Sequence, residues 1–285
     1  IIYKFMKIEK ALEKGSMILN QNNISSSKLD SEILISKVLK RDRKFVIMNF
    51  QKEIEKNSLN TFMDLIKQRS VGKPIAYLIG KKDFWKYEFE LNTEVLVPRP
   101  DTEIIIEEVL KMTKNKNKLN ILDIGSGSGC IILSILKEKI NFFGIGIDVS
   151  KNCVDLSRRN ADKIGVSNRV KFLKSDIDNF KNHKYDLIVS NPPYISHADL
   201  KMLDRGIIDF EPILALDGGL DGLSLIRRVI NKASKLIKKN GRFVLEFGSD
   251  QKEKVKKILI NKGFYINKVL KDYAKNDRCI ISTKL

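Results

Sequence analysis

Ile121-Leu122-Asp123-Ile124-Gly125-Ser126-Gly127-Ser128-Gly129-Cys130 is the stretch that decides the fold. An apolar run ends in three glycines spaced two apart, then resumes through Lys137. That order reads as strand, tight turn and helix. Glycine permits the turn and lets a ligand approach the backbone. The spacing is G-x-G-x-G, not the G-x-G-x-x-G of the dinucleotide fingerprint, which tilts against a nicotinamide or flavin enzyme. Asp148 closes the next strand, Gly144-Ile-Gly-Ile-Asp148, nineteen residues past Gly129. That is close to the ~20 residues at which a carboxylate meets ribose hydroxyls. Together the loop and Asp148 suit an adenosine-type ligand without calling for pyrophosphate.

Outward from this stretch, strand and helix signals alternate. Strands are expected at 119–124, 142–147, 170–173, 185–189, 242–247, 265–271 and 278–282, and helices at 130–137, 151–161, 223–238 and 252–261. Such alternation means an α/β, doubly wound, mostly parallel seven-stranded sheet with helices on both faces. Residues 1–73 read as a helical bundle. Ile8, Leu12, Met17 and Ile18 mark one amphipathic segment, Leu29 to Leu39 a second after Ser25-Ser26-Ser27, and Leu59 to Arg69 a third. Residues 74–97, aromatic and partly alternating, read as a β-hairpin linker. Residues 98–285 form the third part, opened by Val97-Pro-Arg-Pro-Asp-Thr-Glu103 as a helix start.

The apolar run Tyr185-Asp-Leu-Ile-Val-Ser190 leads into Asn191-Pro192-Pro193-Tyr194. An amide, two prolines and an aromatic ring thus stand at the carboxyl end of a strand, where open α/β sheets hold ligands. Proline has no N–H and a fixed φ, so the carbonyls here escape helix and ladder. With the Asn191 amide they can accept hydrogen bonds from a substrate –NH2, and Tyr194 offers a flat face beside it. Asp123 can take hydrogen bonds from the glycine loop or face a cationic ligand. Asp176 and Ile177, after the third strand, are placed to border an adenine. S-adenosyl-L-methionine, with adenosine, amino-acid tail and sulfonium, fits this set.

The composition is that of a soluble globular protein, 42% hydrophobic and 31% charged. No apolar run reaches the ~20 residues of a membrane span, and Ile1 to Lys10 lacks a signal-peptide layout. Residue 1 is Ile, which leaves Met6 as an alternative start. Cys130, Cys153 and Cys279 are far apart, and only His183 and His197 stand beside them as metal-ligand types other than carboxylates. No metal site is expected, and a reducing cytoplasm is. The net charge of +18 rests on scattered lysines, which suits compositional bias as well as an acidic or nucleic-acid partner. A monomer is the default expectation.

The chain resembles class I S-adenosylmethionine-dependent methyltransferases and, more narrowly, the release factor glutamine methyltransferases. The narrower resemblance is carried by Arg69-x-x-Gly-x-Pro74-Ile-Ala-Tyr-Leu-Ile-Gly80, Phe84, Phe89, Val97 to Glu103, the glycine loop, Asn191 to Tyr194, Phe210-Glu-Pro212 and Asp272-Tyr273 with Asn276-Asp277-Arg278. It implies methylation of the glutamine amide in the Gly-Gly-Gln loop of peptide chain release factors. It also implies cofactor contacts from Gly125, Ser126, Gly127, Ser128, Gly129, Asp148 and Asn191. Substrate contacts follow from Asn191, Pro192, Pro193 and Tyr194, with catalysis resting on Asn191, Pro192 and Tyr194. The helical part would recognise the protein substrate. Where some relatives carry an aromatic at the adenine, this chain has Ile177. The same Asn-Pro-Pro-Tyr also serves enzymes that methylate exocyclic amines of adenine or guanine in nucleic acid, the alternative reading. They flip the base into the pocket and usually bring a nucleic-acid-binding domain, a pattern the helical part lacks.

Overall fold

The structure is a computed structural model that describes residues 5–285; residues 1–4 of the expected helical part lie outside the described residues. The chain divides into two compact units, one of residues 1–80 with 204–210, the other of 81–203 with 211–285.

In the first unit, β1 (Phe5–Lys7), α1 (Ile8–Gln21), α2 (Ser27–Leu39), α3 (Arg43–Met48), β2 (Glu53–Glu55), α4 (Lys56–Ser70) and α5 (Ile75–Ile79) follow in order. Ile8, Ala11, Gly15 and Leu19 fall on one stripe of α1 and are buried. Gly15 allows the close approach of α4, because a Cβ there would lie 2.7 Å from Phe62 Cζ. Arg69 from the quoted motif is structural. Its Nε donates to the buried Asp30 carboxylate at 2.7 Å, and its Nη1 donates to the carbonyls of Gly72 and Lys73. Two features differ from expectation. The three-residue strands β1 and β2, paired antiparallel, are too short to show a period. Residues 75–79 are a helical turn and not hairpin, begun by Pro74 and stopped by Gly80 at φ 78°. The hairpin itself is shorter, β3 (Lys81–Phe84) with β4 (Tyr87–Glu90), and lies in the second unit.

The second unit continues with α6 (Glu103–Met112), β5 (Asn120–Ile124), α7 (Cys130–Glu138), β6 (Phe143–Asp148), α8 (Lys151–Ile164), β7 (Val170–Lys174), β8 (Tyr185–Ser190) and α9 (His197–Leu200). After α10 (Arg205–Ile208), which belongs to the first unit, come α11 (Ser224–Leu236), β9 (Ile237–Glu246), α12 (Lys252–Asn261), β10 (Phe264–Lys271) and β11 (Asp277–Lys284). The seven strands order as β10-β11-β9-β8-β5-β6-β7, with β11 alone reversed. This is the expected doubly wound, mostly parallel sheet. One face buries Ile105, Ile132, Leu133 and Val154 with Phe84 and Phe89 of the hairpin. The other buries Ile226, Ile230, Val255 and Leu259 from α11 and α12. From β5 the chain winds to β6 and β7 on one side, then returns to β8 and β9 on the other. The switch point therefore lies at the carboxyl ends of β5 and β8, where such sheets bind ligands.

Candidate active site

Gly125, Gly127 and Gly129 hold φ of 77°, 55° and 80°, the left-handed region that other residues enter only with strain. The loop is stitched to its neighbour strand. Gly125 and Ser126 donate their N–H groups to the Ile147 carbonyl at 2.9 and 3.0 Å. The Gly127 N–H donates to Asp148 Oδ2 at 2.9 Å, while Asp148 Oδ1 accepts from the Ser150 N–H at the start of α8. Ser157 Oγ donates to the Gly127 carbonyl, and the buried Asn160 donates to the Ser128 carbonyl and pairs with Glu90 of the hairpin. Neither Ser157 nor Asn160 stood out in the sequence, since a polar residue on an amphipathic helix carries no mark of what it faces.

A cavity of about 690 Å³ opens at this sheet edge. Its lining includes Gly125 to Ser128, Asp148, Asp176, Ile177, Asn191, Pro192 and Pro193. Three expected site residues are not among the lining. Gly129 is a packing position, where a Cβ would meet Leu133 and Phe172 at 2.9 and 3.1 Å. Tyr194 is turned to polar groups behind the cavity. Asp123 is fully buried in β5, and both its carboxylate oxygens lack a hydrogen-bond partner among the described residues. Burial pushes its pKa up to about 7. The Asp148 carboxyl is also raised by burial, against the N–H groups of Ser150 and Gly127 that favour its charge. Asp176 is held low by the Asp178 N–H and by Arg228, whose Nη2 reaches its two oxygens at 2.8 and 2.9 Å. These features fit an adenosine ligand with a cationic, amino-acid end. A Cβ built on Gly125 meets nothing within 4 Å, so the loop presents open backbone to the cavity. Asp123 is a buried carboxyl beneath that loop, one that a nearby cation would favour in its ionised form.

At the other end, Asn191 follows β8. Its Nδ2 donates to Thr102 Oγ1 at 3.2 Å. Among the described residues no hydrogen bond engages Asn191 Oδ1 or the Pro192 carbonyl. Thr102 lies in the turn Pro100–Thr102 before α6, where the sequence alone signals only a helix start. Tyr194 donates its hydroxyl to Glu246 Oε1 at 3.4 Å, and Arg278 reaches the same hydroxyl at 3.4 Å. Gln251 Nε2 donates to the Tyr194 carbonyl at 2.8 Å. These bonds to its hydroxyl and carbonyl hold Tyr194 in place at the end of the turn. Arg99 pairs with the buried Glu211 at 2.6 Å, and Glu211 also accepts from the Val97 N–H, which joins two of the quoted motifs. Glu103 Oε1 accepts from the Trp85 N–H at 2.7 Å, in the hairpin turn where Trp85 has φ 57°. His197 is half exposed and pairs with Asp217. The 196–222 connection holds α9, α10 and the turn Ile213–Ala215, whose residues line the cavity.

No helix among the described residues is long and apolar enough to cross a membrane, and no group of three or more His, Cys, Asp or Glu there could hold a metal ion. Residues 115–278 match a family model described as a methyltransferase domain, and residues 10–80 match the PrmC N-terminal domain. The chain is 38% identical to a release factor glutamine methyltransferase of Clostridium acetobutylicum, across 98% of this chain and 99% of that protein. A release factor glutamine methyltransferase of Buchnera aphidicola subsp. Baizongia pistaciae is 35% identical over 98% of this chain and all of its own length. A bifunctional methyltransferase of Rickettsia felis is 33% identical over 96% of this chain, which spans 57% of that protein. Two solved structures share the fold alone. A methyltransferase from Pyrococcus furiosus has a TM-score of 0.52 at 18% identity, over 69% of this chain and 88% of that one. A ribosomal protein L11 methylase from Lactobacillus delbrueckii subsp. bulgaricus has 0.50 at 15%, over 72% and 90%. With its motifs, its two matched regions and near full-length relatives at this identity, the chain belongs to the release factor glutamine methyltransferase family.

Proposed function

We propose that the enzyme transfers the methyl group of S-adenosyl-L-methionine to the side-chain amide nitrogen of the glutamine in the Gly-Gly-Gln loop of peptide chain release factors, in the cytoplasm. The observation that carries this reading is the Asn191 corner. With Nδ2 held by Thr102, the Oδ1 atom and the neighbouring Pro192 carbonyl remain as two acceptors at the cavity. A primary amide offers two N–H donors, and this pair matches them.

The cofactor, when bound, supplies an electrophilic methyl group on a sulfonium. Gly125 to Ser128 would hold it along the loop, with open space at Gly125, Asp148 would accept from ribose hydroxyls, and Asp176 and Ile177 would border the adenine. Asn191 Oδ1 and the Pro192 carbonyl accept the two substrate hydrogens and fix the nitrogen in place. The same two acceptors stabilise positive charge as it develops on nitrogen. An amide nitrogen loses its proton readily once it carries a fourth substituent, so water can take it and His197 has no part. Pro193 shapes the wall of the acceptor end. Recognition of the protein substrate falls to the helical unit.

The test is transfer of labelled methyl from S-adenosylmethionine to purified release factor, beside its Gly-Gly-Gln to Gly-Gly-Ala variant and a nucleic-acid control. Label on the native factor and none on the variant supports the proposal. Label on nucleic acid alone sinks it in favour of the exocyclic-amine reading.

A further inference from the structure

Behind the Asn191 corner lies a run of buried polar groups that does not touch the reaction. Thr102 and Glu246 are 3% and 2% exposed. Ser190 of β8 stands opposite Leu245 of β9 in parallel register, so Asn191 and Glu246 come next at the same sheet edge. Thr102 Oγ1 accepts from Asn191 Nδ2 at 3.2 Å. A hydroxyl that accepts still carries a proton of its own, and in a buried site that proton needs an acceptor. Glu246 Oε2 is a buried acceptor with no hydrogen-bond partner among the described residues, and the Thr102 hydroxyl favours the ionised form of Glu246. Each group has what the other lacks. The second Glu246 oxygen accepts from Tyr194, and Arg278 steadies that phenol while its own guanidinium is held by Asp272 Oδ2 at 3.0 and 3.2 Å.

We propose that Glu246 is a positioning residue: it accepts a hydrogen bond from the Thr102 hydroxyl, which keeps its proton and leaves Thr102 Oγ1 facing Asn191 as an acceptor, and thereby turns Asn191 Oδ1 toward the substrate. The inference rests on the reading of Asn191 as the acceptor of the substrate amide. A carboxamide has nearly the same shape after half a turn. Turned that way it would set an NH2 group against the substrate NH2, donor against donor. Steric fit does not choose between the two orientations, whereas a hydroxyl that can only accept does.

Glu246 faces Asp101 and Thr102 from the turn before α6, Tyr194, Arg278, and the thiols of Cys130 and Cys279. Burial raises its carboxyl to about 7, opposed by Thr102 and Arg278. Once protonated, Glu246 donates to Thr102 Oγ1, the hydroxyl proton swings to Asn191, and the turned amide becomes the favoured one. Turnover then falls as pH drops through the Glu246 titration.

The experiment measures kcat on native release factor for the wild type, Thr102→Val, Thr102→Ser and Glu246→Gln, with cofactor Kd by calorimetry and melting temperature for each. Thr102→Val is expected to lower kcat roughly 10- to 100-fold, the scale of lost orientation, with cofactor Kd unchanged, and Thr102→Ser to recover most of it. Glu246→Gln, neutral at every pH, is expected to flatten the acid limb of kcat. Wild-type kcat in Thr102→Val, failure of Thr102→Ser to recover, or an acid limb that survives in Glu246→Gln overturns the relay. Should Thr102→Val fold poorly, the pH profiles of wild type and Glu246→Gln decide alone. A wild type that leaves the glutamine unmethylated overturns the functional reading and this inference with it; an active wild type indifferent to Thr102 overturns the relay only.

Discussion

The glycine loop after β5 and the Asn191 corner after β8 stand at one sheet edge but are held by different means. The loop is a local object. Its three left-handed glycines sit within five residues, and its bonds run to the adjoining strand, to Asp148 at that strand's end and to Ser157 and Asn160 on the helix that follows. The corner is assembled from a distance. Thr102 is 89 residues from Asn191, Glu246 is 52 from Tyr194, and Arg278 is 84 from Tyr194. A cofactor common to many enzymes can be held by open backbone. An amide substrate needs its acceptors oriented, and orientation comes from side chains packed behind the site. On the proposed function the two ends divide the work: one would set affinity for the cofactor, the other the rate of transfer.

The sharpest break in that division comes from Asn191→Ala. It removes one acceptor of the substrate amide, and turnover should fall roughly 10²- to 10³-fold, the range for loss of one polar group at a developing charge. Cofactor Kd, read by calorimetry, should change far less. Asp148→Ala should do the reverse. It strips the partner of the Gly127 and Ser150 N–H groups and weakens cofactor binding about 10- to 100-fold, equivalent to about 1.4–2.8 kcal/mol, with kcat retained at saturating cofactor.

Arg99→Ala sharpens the picture of what frames the cavity. It leaves Glu211, whose side chain is 2% exposed, without its cation. A loss of about 1–3 kcal/mol is expected in denaturant unfolding, with turnover down through loosening of the 211–215 wall. A milder effect concerns pH. Asp123 and Glu246 are both pushed up to about 7 by burial. Between the unfolded value of about 4 and that folded value, the folded protein binds more protons than the unfolded chain. The stability this contributes is present below about pH 4 and is lost as pH rises through about 7. The ligand-free protein should therefore melt lower at pH 8 than at pH 5.5 on this account, and Asp123→Asn should melt higher than wild type at pH 8. An Asp123→Asn melt that tracks the wild type at both values would remove Asp123 from the explanation. Smallest of all, His197→Ala should leave kcat within about twofold at every pH, as expected when an exposed pair with Asp217 is lost.

Which features could be read from the sequence follows the same line. The strand–glycine–helix order, Asp148 and Asn191 are local signals, and the seven strands with their winding could be read from alternating patterns. Thr102 looked like a helix start because a capping threonine and a relay threonine share one local context. Glu246, at the end of an apolar strand, bore no sign of the hydroxyls it would meet. Arg99 and Glu211 lay in motifs that resembled the family, but their pairing across 112 residues is a tertiary fact. Tyr194 could be read as a flat face beside the Asn191 acceptors, but the buried carboxylate and guanidinium that its hydroxyl meets come from distant strands and left no mark beside it in the sequence. Residues 75–79 misled because five apolar and aromatic residues satisfy strand and helix alike, and the proline and glycine at their ends decide.

The most direct test of the division is a single-turnover experiment with enzyme preloaded with labelled S-adenosylmethionine and mixed with release factor in excess. At a cofactor concentration that saturates each protein, Asp148→Ala should transfer methyl at close to the wild-type rate, and Asn191→Ala should be slower by two orders of magnitude or more. Equal rates for Asn191→Ala and wild type, or a transfer step in preloaded Asp148→Ala as slow as that of Asn191→Ala, would contradict it.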